Sequence, residues 1–276
     1  MEHVNKKQKL IITAVMFCGM LLVLSPLYFV VVNSLKTLPE IAKSAVSLPV
    51  RLHFENYGKA WKQLNFISAF KNTFLITLFS NVGGIVFGTM AGYWICRNPN
   101  RMTKILYSLI ISSMAIPFQA IMISLMRVTK FMGFNDSIFG IVMCYWGLSV
   151  PICVFMSFGA VKSVPMEIEE SAYIDGCSSF LMFWKIVFPL IRPTVLTFTV
   201  INTFWYWNDY LMSQLILTSK SHRVIQQAIR TLFNESIYQW DLGLAALILS
   251  IIPMTIFFIV MQKNVVAGVT AGAVKG

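Results

Sequence analysis

The chain is short of charge. Charged residues make up 12% of its 276 residues, where soluble domains usually carry about 25%. An ordinary water-soluble enzyme is excluded on that ground, and disorder is excluded by the 57% hydrophobic content. Acids are the scarcest, 11 against 22 Lys+Arg, for a net charge of +11. A basic excess often points to nucleic acid. Here the cations are too scattered to make a basic face, so no nucleic-acid partner is expected. His3, His53 and His222 lie far apart. Cys18, Cys96, Cys144, Cys153 and Cys177 show no CxxC or Cys/His spacing. They read as small buried hydrophobes, with no metal site and no disulfide. No G-x-x-x-x-G-K-[ST] run occurs, so no phosphate-binding loop is expected.

What the chain has is long apolar runs. Six approach or exceed the ~20 residues needed to cross a bilayer: 10–33, 72–96, 105–126, 138–161, 194–214 and 243–262. The first follows Lys6, Lys7 and Lys9. It is too long for a signal-peptide core and ends in Asn33-Ser34-Leu35-Lys36, so it reads as a retained span. Continuous runs of this length suit helices, because lipid leaves backbone groups to be satisfied within the segment. An all-α membrane protein with six transmembrane helices follows. Pro117, Pro151 and Pro253 fall inside spans and should kink them. Gly84, Gly88 and Gly92 recur every four residues, a small-residue face for close helix approach.

With the N-terminus inside, cations divide eleven against eleven across the membrane. The N-terminal cluster and the short Arg97–Lys104 loop favour N-terminus inside. Asp209 is the one ionisable residue within the stated limits, near a span end. Ion-coupled carriers place such groups near the midplane, and an intramembrane enzyme would need a constellation of them. With no such group at the midplane and no phosphate-binding loop, the chain shows neither a proton relay nor an ATP site of its own. A self-contained channel would leave the next segment unexplained.

That segment is 162–193. Pro165 suits a helix start, and Glu167, Glu169 and Glu170 sit in the first turns, where the helix dipole favours anions. Gly176 suits the turn that ends this helix. Phe180, Phe183, Trp184, Val187 and Phe188 then form an apolar stripe on a second helix, expected to run to Pro189. Four of the eleven acids, counting Asp175, fall within nine residues. One reading is a solvated acidic face. The sharper one is a docking element for a basic or hydrogen-bond-donating cleft.

Glu170-Ser171-Ala172, three residues, Gly176, nine residues, then Ile186-Val187-Phe188-Pro189 resembles the EAA loop of binding-protein-dependent ABC importer permeases of the type I class. The family pattern is Glu-Ala-Ala, three residues, Gly, nine residues, Ile-x-Leu-Pro; Ser171 and Phe188 depart from it modestly. Leu52 to Tyr57, Trp207-Asn208-Asp209-Tyr210 and Thr270 to Gly276 resemble the carbohydrate branch, similar to the second membrane subunit of maltose-type importers. The resemblance spans essentially the whole chain.

It implies a bacterial cell-membrane subunit with both termini cytoplasmic. Segment 1–71 would be the N-terminal segment, first span and first outer loop; 72–262 the transport core, with its coupling loop at about 162–190; and 263–276 a cytoplasmic tail. It implies a second homologous permease, a pair of cytoplasmic ATPase subunits that alone bind ATP, and an extracytoplasmic sugar-binding protein, all working amid membrane lipid. The chain itself would hold no cofactor and catalyse nothing. Glu170, Ala172, Asp175 and Gly176 would couple to the ATPase, and Gly272, Lys275 and Gly276 of the tail would touch it. Asn81, Gln119, Asn202, Trp205, Asn208 and Asp209 are candidates for the translocation path, since aromatic faces beside amides and carboxylates suit sugars. Aromatic residues also gather in interfacial belts. The alternative substrate is a non-sugar solute, such as an osmolyte, amino acid or peptide.

Overall fold

The computed structural model describes residues 6–234 and 237–273. The described residues form helices, one short ladder and the loops between them. In order come α1 (Lys6–Ser34), α2 (Leu38–Lys43), α3 (Glu55–Gln63), α4 (Phe66–Arg97), α5 (Arg101–Ser113), α6 (Phe118–Phe131) and α7 (Ile138–Lys162). Then follow α8 (Met166–Ile174), α9 (Ser179–Met182), α10 (Phe188–Asn208), α11 (Leu211–Ile216), α12 (Ile225–Arg230) and α13 (Trp240–Ala273). The ladder pairs β1 (Phe233–Asn234) with β2 (Ile237–Tyr238), antiparallel, Phe233 opposite Tyr238. Among the described residues, five helices are long and apolar enough to cross a membrane, or six if the bent pair α5 and α6 counts as one span.

Several expectations from the sequence change. The run at 105–126 is not one helix: α5 and α6 meet at 103°. Pro117 supplies no N–H and disfavours helix at Ile116. The chain tightens there, with Met114, Ala115 and Ile116 each donating three residues back. By contrast Pro151 and Pro253 lie within continuous helices. The second helix of the loop does not stop at Pro189. It runs unbroken into the fifth span, Ser179–Asn208. A π-helical turn at Phe183–Val187 widens the helix immediately before the proline, and Phe188 N–H donates to Phe183 C=O. The fifth span then ends at Asn208 rather than 214, and α11 follows separately. Finally, the stretch after Gln262 continues α13 to Ala273. Cysteine burial also divides: Cys144 and Cys153 are buried, Cys96 and Cys177 half-buried, and Cys18 exposed.

The contacts divide into two compact units. One comprises residues 1–66 and 228–253. In it the C-terminal end of α1 is fixed by polar bonds. Asn33 Nδ2 donates to Phe29 and Ala45 C=O at 2.7 and 2.8 Å. The buried Lys36 Nζ donates to Asn33 Oδ1 and Ser44 C=O, both at 3.0 Å. Asn56 Nδ2 donates to Ser34 and Lys36 C=O, so this stretch, singled out in the sequence, packs against the end of α1.

The second unit comprises residues 67–227 and 254–276. Its backbone is a seam between α4 and α7. Gly84 faces Ser149, Gly88 faces Cys153 and Gly92 faces Ser157. A Cβ on Gly88 would collide with Cys153, and one on Gly92 would lie 3.0 Å from Val154 C=O. The repeat of four matches on both helices, which therefore run parallel at close range. Two apolar clusters flank this seam. One gathers Ile141, Tyr145, Tyr206, Met212 and Ile216. The other, under the loop, gathers Val161, Val164, Phe183, Val187 and Ile191.

Candidate functional site

The loop between α7 and α10 is built by local rules. Pro165 caps α8, and Glu167 and Glu169 fill its first turn. The helix ends in a Schellman turn: Cys177 N–H donates to Ala172 C=O and Gly176 N–H to Tyr173 C=O, each at 3.0 Å. This needs a left-handed residue, and Gly176 supplies it at φ 81°. Ser178 then caps α9, its Oγ accepting from Leu181 N–H.

α8 presents two different faces. Glu167, Glu170, Ser171 and Asp175 are exposed, together with Tyr173 at 71% and Ile174 at 84%. Phe180 and Leu181 of α9 are exposed as well. Acidic and large apolar groups thus share one open surface. The opposite face is closed. Ala172 is buried, and Glu169 is 5% exposed. Glu169 Oε1 accepts from Arg97 Nε at 2.8 Å and pairs with Arg97 Nη2 at 2.5 Å. Its Oε2 accepts from Tyr93 Oη at 2.8 Å. Arg97 Nη2 also donates to Val164 C=O at 2.9 Å.

Of the four coupling residues named from the sequence, Glu170, Asp175 and Gly176 therefore stand on the open surface, and Ala172 lies beneath it. Sequence reasoning missed Tyr93 and Arg97. The signal available was Arg97, a cation closing a 32-residue apolar helix. Gly272 lies in the last turn of α13. Lys275 and Gly276 lie outside the described residues.

The residues named for a translocation path occupy several environments. Asn81 Nδ2 donates to Thr77 C=O and to Thr203 Oγ1, both at 3.0 Å, tying α4 to α10. Asn202, beside Thr203, is buried and donates to Phe198 C=O. Asn208 is exposed and donates to Phe204 C=O. Trp205 is half-exposed, edge-on to the Tyr145 ring at 5.7 Å. Asp209 acts locally as a cap. Its Oδ2 accepts from Tyr145 Oη at 2.8 Å and from Met212 N–H at 3.0 Å, at the start of α11. Gln119 is exposed in the first turn of α6.

A further acid organises the region between α6 and α7. Asp136, at φ 52°, accepts through Oδ1 from Thr218 N–H and Ser219 N–H, both at 2.9 Å, and lies 3.4 Å from His222 Nδ1. The Ser219 and Thr218 amides hold its carboxyl down at about 2. Ser219 Oγ meets the same Nδ1 of His222, so the three do not form a nucleophile–base–acid relay, which requires both ring nitrogens.

Apolar helices of spanning length, joined by a close-packed seam and carrying one firmly held, exposed loop, define a multi-pass membrane protein. The chain belongs to the family of binding-protein-dependent transport system inner membrane components, the ABC importer permeases its loop resembles, and the match runs over residues 84–271. It is similar to the probable starch degradation products transport system permease protein AmyC of Thermoanaerobacterium thermosulfurigenes, 38% identical over 97% of each chain. It is also similar to the melibiose/raffinose/stachyose import permease protein MelC of Bacillus subtilis, 31% identical over 91% of each. Among solved structures, a chain of a bacterial ABC transporter involved in the import of the acidic polysaccharide alginate shares the fold. Its TM-score is 0.83 at 22% identity, covering 95% of this chain and 99% of that one.

Proposed function

We propose that this chain is the permease subunit of an ATP-driven importer that moves a sugar or oligosaccharide into a bacterial cell. The observation that carries the mechanism is the exposed surface of α8 and α9, acidic and apolar together, on a helix fixed from behind. Such a surface suits a cleft on a cytoplasmic ATPase subunit, with Glu170 and Asp175 meeting cations at its rim and Tyr173 and Ile174 entering it. The loop is then cytoplasmic, α5 and α6 together make the third of six spans, and both termini are cytoplasmic. A second permease completes the pore, and an extracytoplasmic binding protein delivers the solute. The substrate class rests on relatives similar over nearly their whole length whose names specify starch degradation products and raffinose-type oligosaccharides.

The test is reconstitution with the partner permease, ATPase and binding protein in vesicles. ATP-dependent uptake of labelled oligosaccharide is expected. Glu170→Lys places a cation against the ATPase rim and should cut co-purified ATPase about tenfold or more. Normal assembly and uptake in Glu170→Lys would sink the docking reading; uptake of only non-sugar solutes would sink the substrate reading.

A further inference from the structure

We propose that Arg97 is a positioning residue that locks α8 to the end of α4, so that force applied to the loop moves α4 and α7 as one lever. The inference rests on the loop being the ATPase-docking element. α8 is already tied covalently to α7 through Ser163 and Val164. What the sequence does not require is a second attachment, to a helix 72 residues away. One guanidinium makes it. Its Nε and Nη2 hold Glu169 while Nη2 also reaches Val164 C=O, so both flanks of the α8 start are gripped by one planar fork. Tyr93, one turn earlier on α4, takes the other Glu169 oxygen at 2.8 Å. Both oxygens of a buried carboxylate are thereby used.

The attachment point matters because of what α4 is joined to. Gly84, Gly88 and Gly92 bring α4 against Ser149, Cys153 and Ser157 of α7 with no room for a methyl at Gly88. Packed interfaces of this kind switch between arrangements and do not deform smoothly. The open face of α8 therefore cannot tilt without carrying Glu169, Arg97 and the α4–α7 pair with it. Losing the Arg97 fork would leave the loop able to dock but slack against the helices it should move.

The experiment uses the assembled transporter in vesicles with its binding protein. It measures ATPase subunit co-purified and solute imported per ATP hydrolysed, for the wild type, Arg97→Gln, Arg97→Lys and Tyr93→Phe. Arg97→Lys keeps the buried charge paired but cannot span Glu169 and Val164 as a fork. It should retain the ATPase while solute per ATP falls about three- to tenfold. Tyr93→Phe should fall less, and Arg97→Gln as much or more. A wild-type ratio in Arg97→Lys overturns the proposal, whether or not Arg97→Gln accumulates. If the wild-type chain retained no ATPase, the docking reading itself would fail. A wild type that couples normally beside an Arg97→Lys that does too would remove only the clamp.

Discussion

Glu169 and Glu170 are neighbours in the chain with opposite surroundings. A helix turns about 100° per residue, so one carboxylate enters the protein and the other faces out. In the sequence they belong to one acidic cluster, and nothing local tells the buried carboxylate from the exposed one. Arg97 distinguishes them, and 72 residues of separation hide it. Asp136 was likewise illegible, since its partners are backbone amides of a segment 82 residues on. Its behaviour with pH follows from its environment. The carboxyl is held at about 2 in the folded chain, below its ordinary 3.8. A depressed acid contributes stability fully above its unfolded value and loses it as pH falls toward the folded one. The protection factor at the Thr218 and Ser219 amides, the exchange rate corrected for its intrinsic pH dependence, should therefore be high above about pH 4 and fall between about pH 4 and 2. Asp136→Asn tests the charge alone, because asparagine also tolerates positive φ. It should give lower protection at neutral pH, with no change in protection across that window; unchanged protection would remove Asp136 as the tie.

At the scale of elements, what composition controls was readable and what competition controls was not. α1 and α7 are continuous apolar runs that the sequence located closely, and it placed the start of α13 but not its continuation to Ala273. The third run has the same composition, yet Pro117 divides it. Pro189 made the second helix of the loop look separate from the fifth span, but the helix continues past it, with a π-turn at Phe183–Val187. The glycine repeat on α4 was legible as a packing face; that it meets an equally spaced Ser149, Cys153, Ser157 stripe was not, because that stripe is hidden within a uniformly apolar helix. The seam predicts a strong asymmetry between close positions. Gly88→Leu forces a side chain into Cys153 and should destabilise by about 1–3 kcal/mol or more. Gly147→Leu, where a Cβ meets nothing within 4 Å, should be near neutral. Thermal unfolding in detergent checks both, and equal melting points for the two variants would contradict the seam.

For the whole molecule, the low charge that excluded a soluble enzyme is distributed with a purpose visible only in the fold. The net +11 describes no single face, whereas acids and exposed large apolar side chains gather on one surface of α8 and α9. The cysteines, bland in sequence, acquire distinct addresses once the helices are placed. Cys18 lies on the outside of α1, Cys144 and Cys153 lie inside, and Cys177 sits half-covered beside Gly176. A charged, membrane-impermeant maleimide should tag Cys177 only when added from the cytoplasmic side. A lipophilic one should reach Cys18, and the two interior thiols should react only after unfolding. Peptide mass mapping assigns the additions, separating Cys177 from the equally half-buried Cys96, and tagging of Cys177 from outside the cell would invert the topology. Because Cys177 adjoins the open face of α8, its rate of tagging would also register arrival and departure of whatever sits there, so the native chain carries its own occupancy probe without an engineered residue.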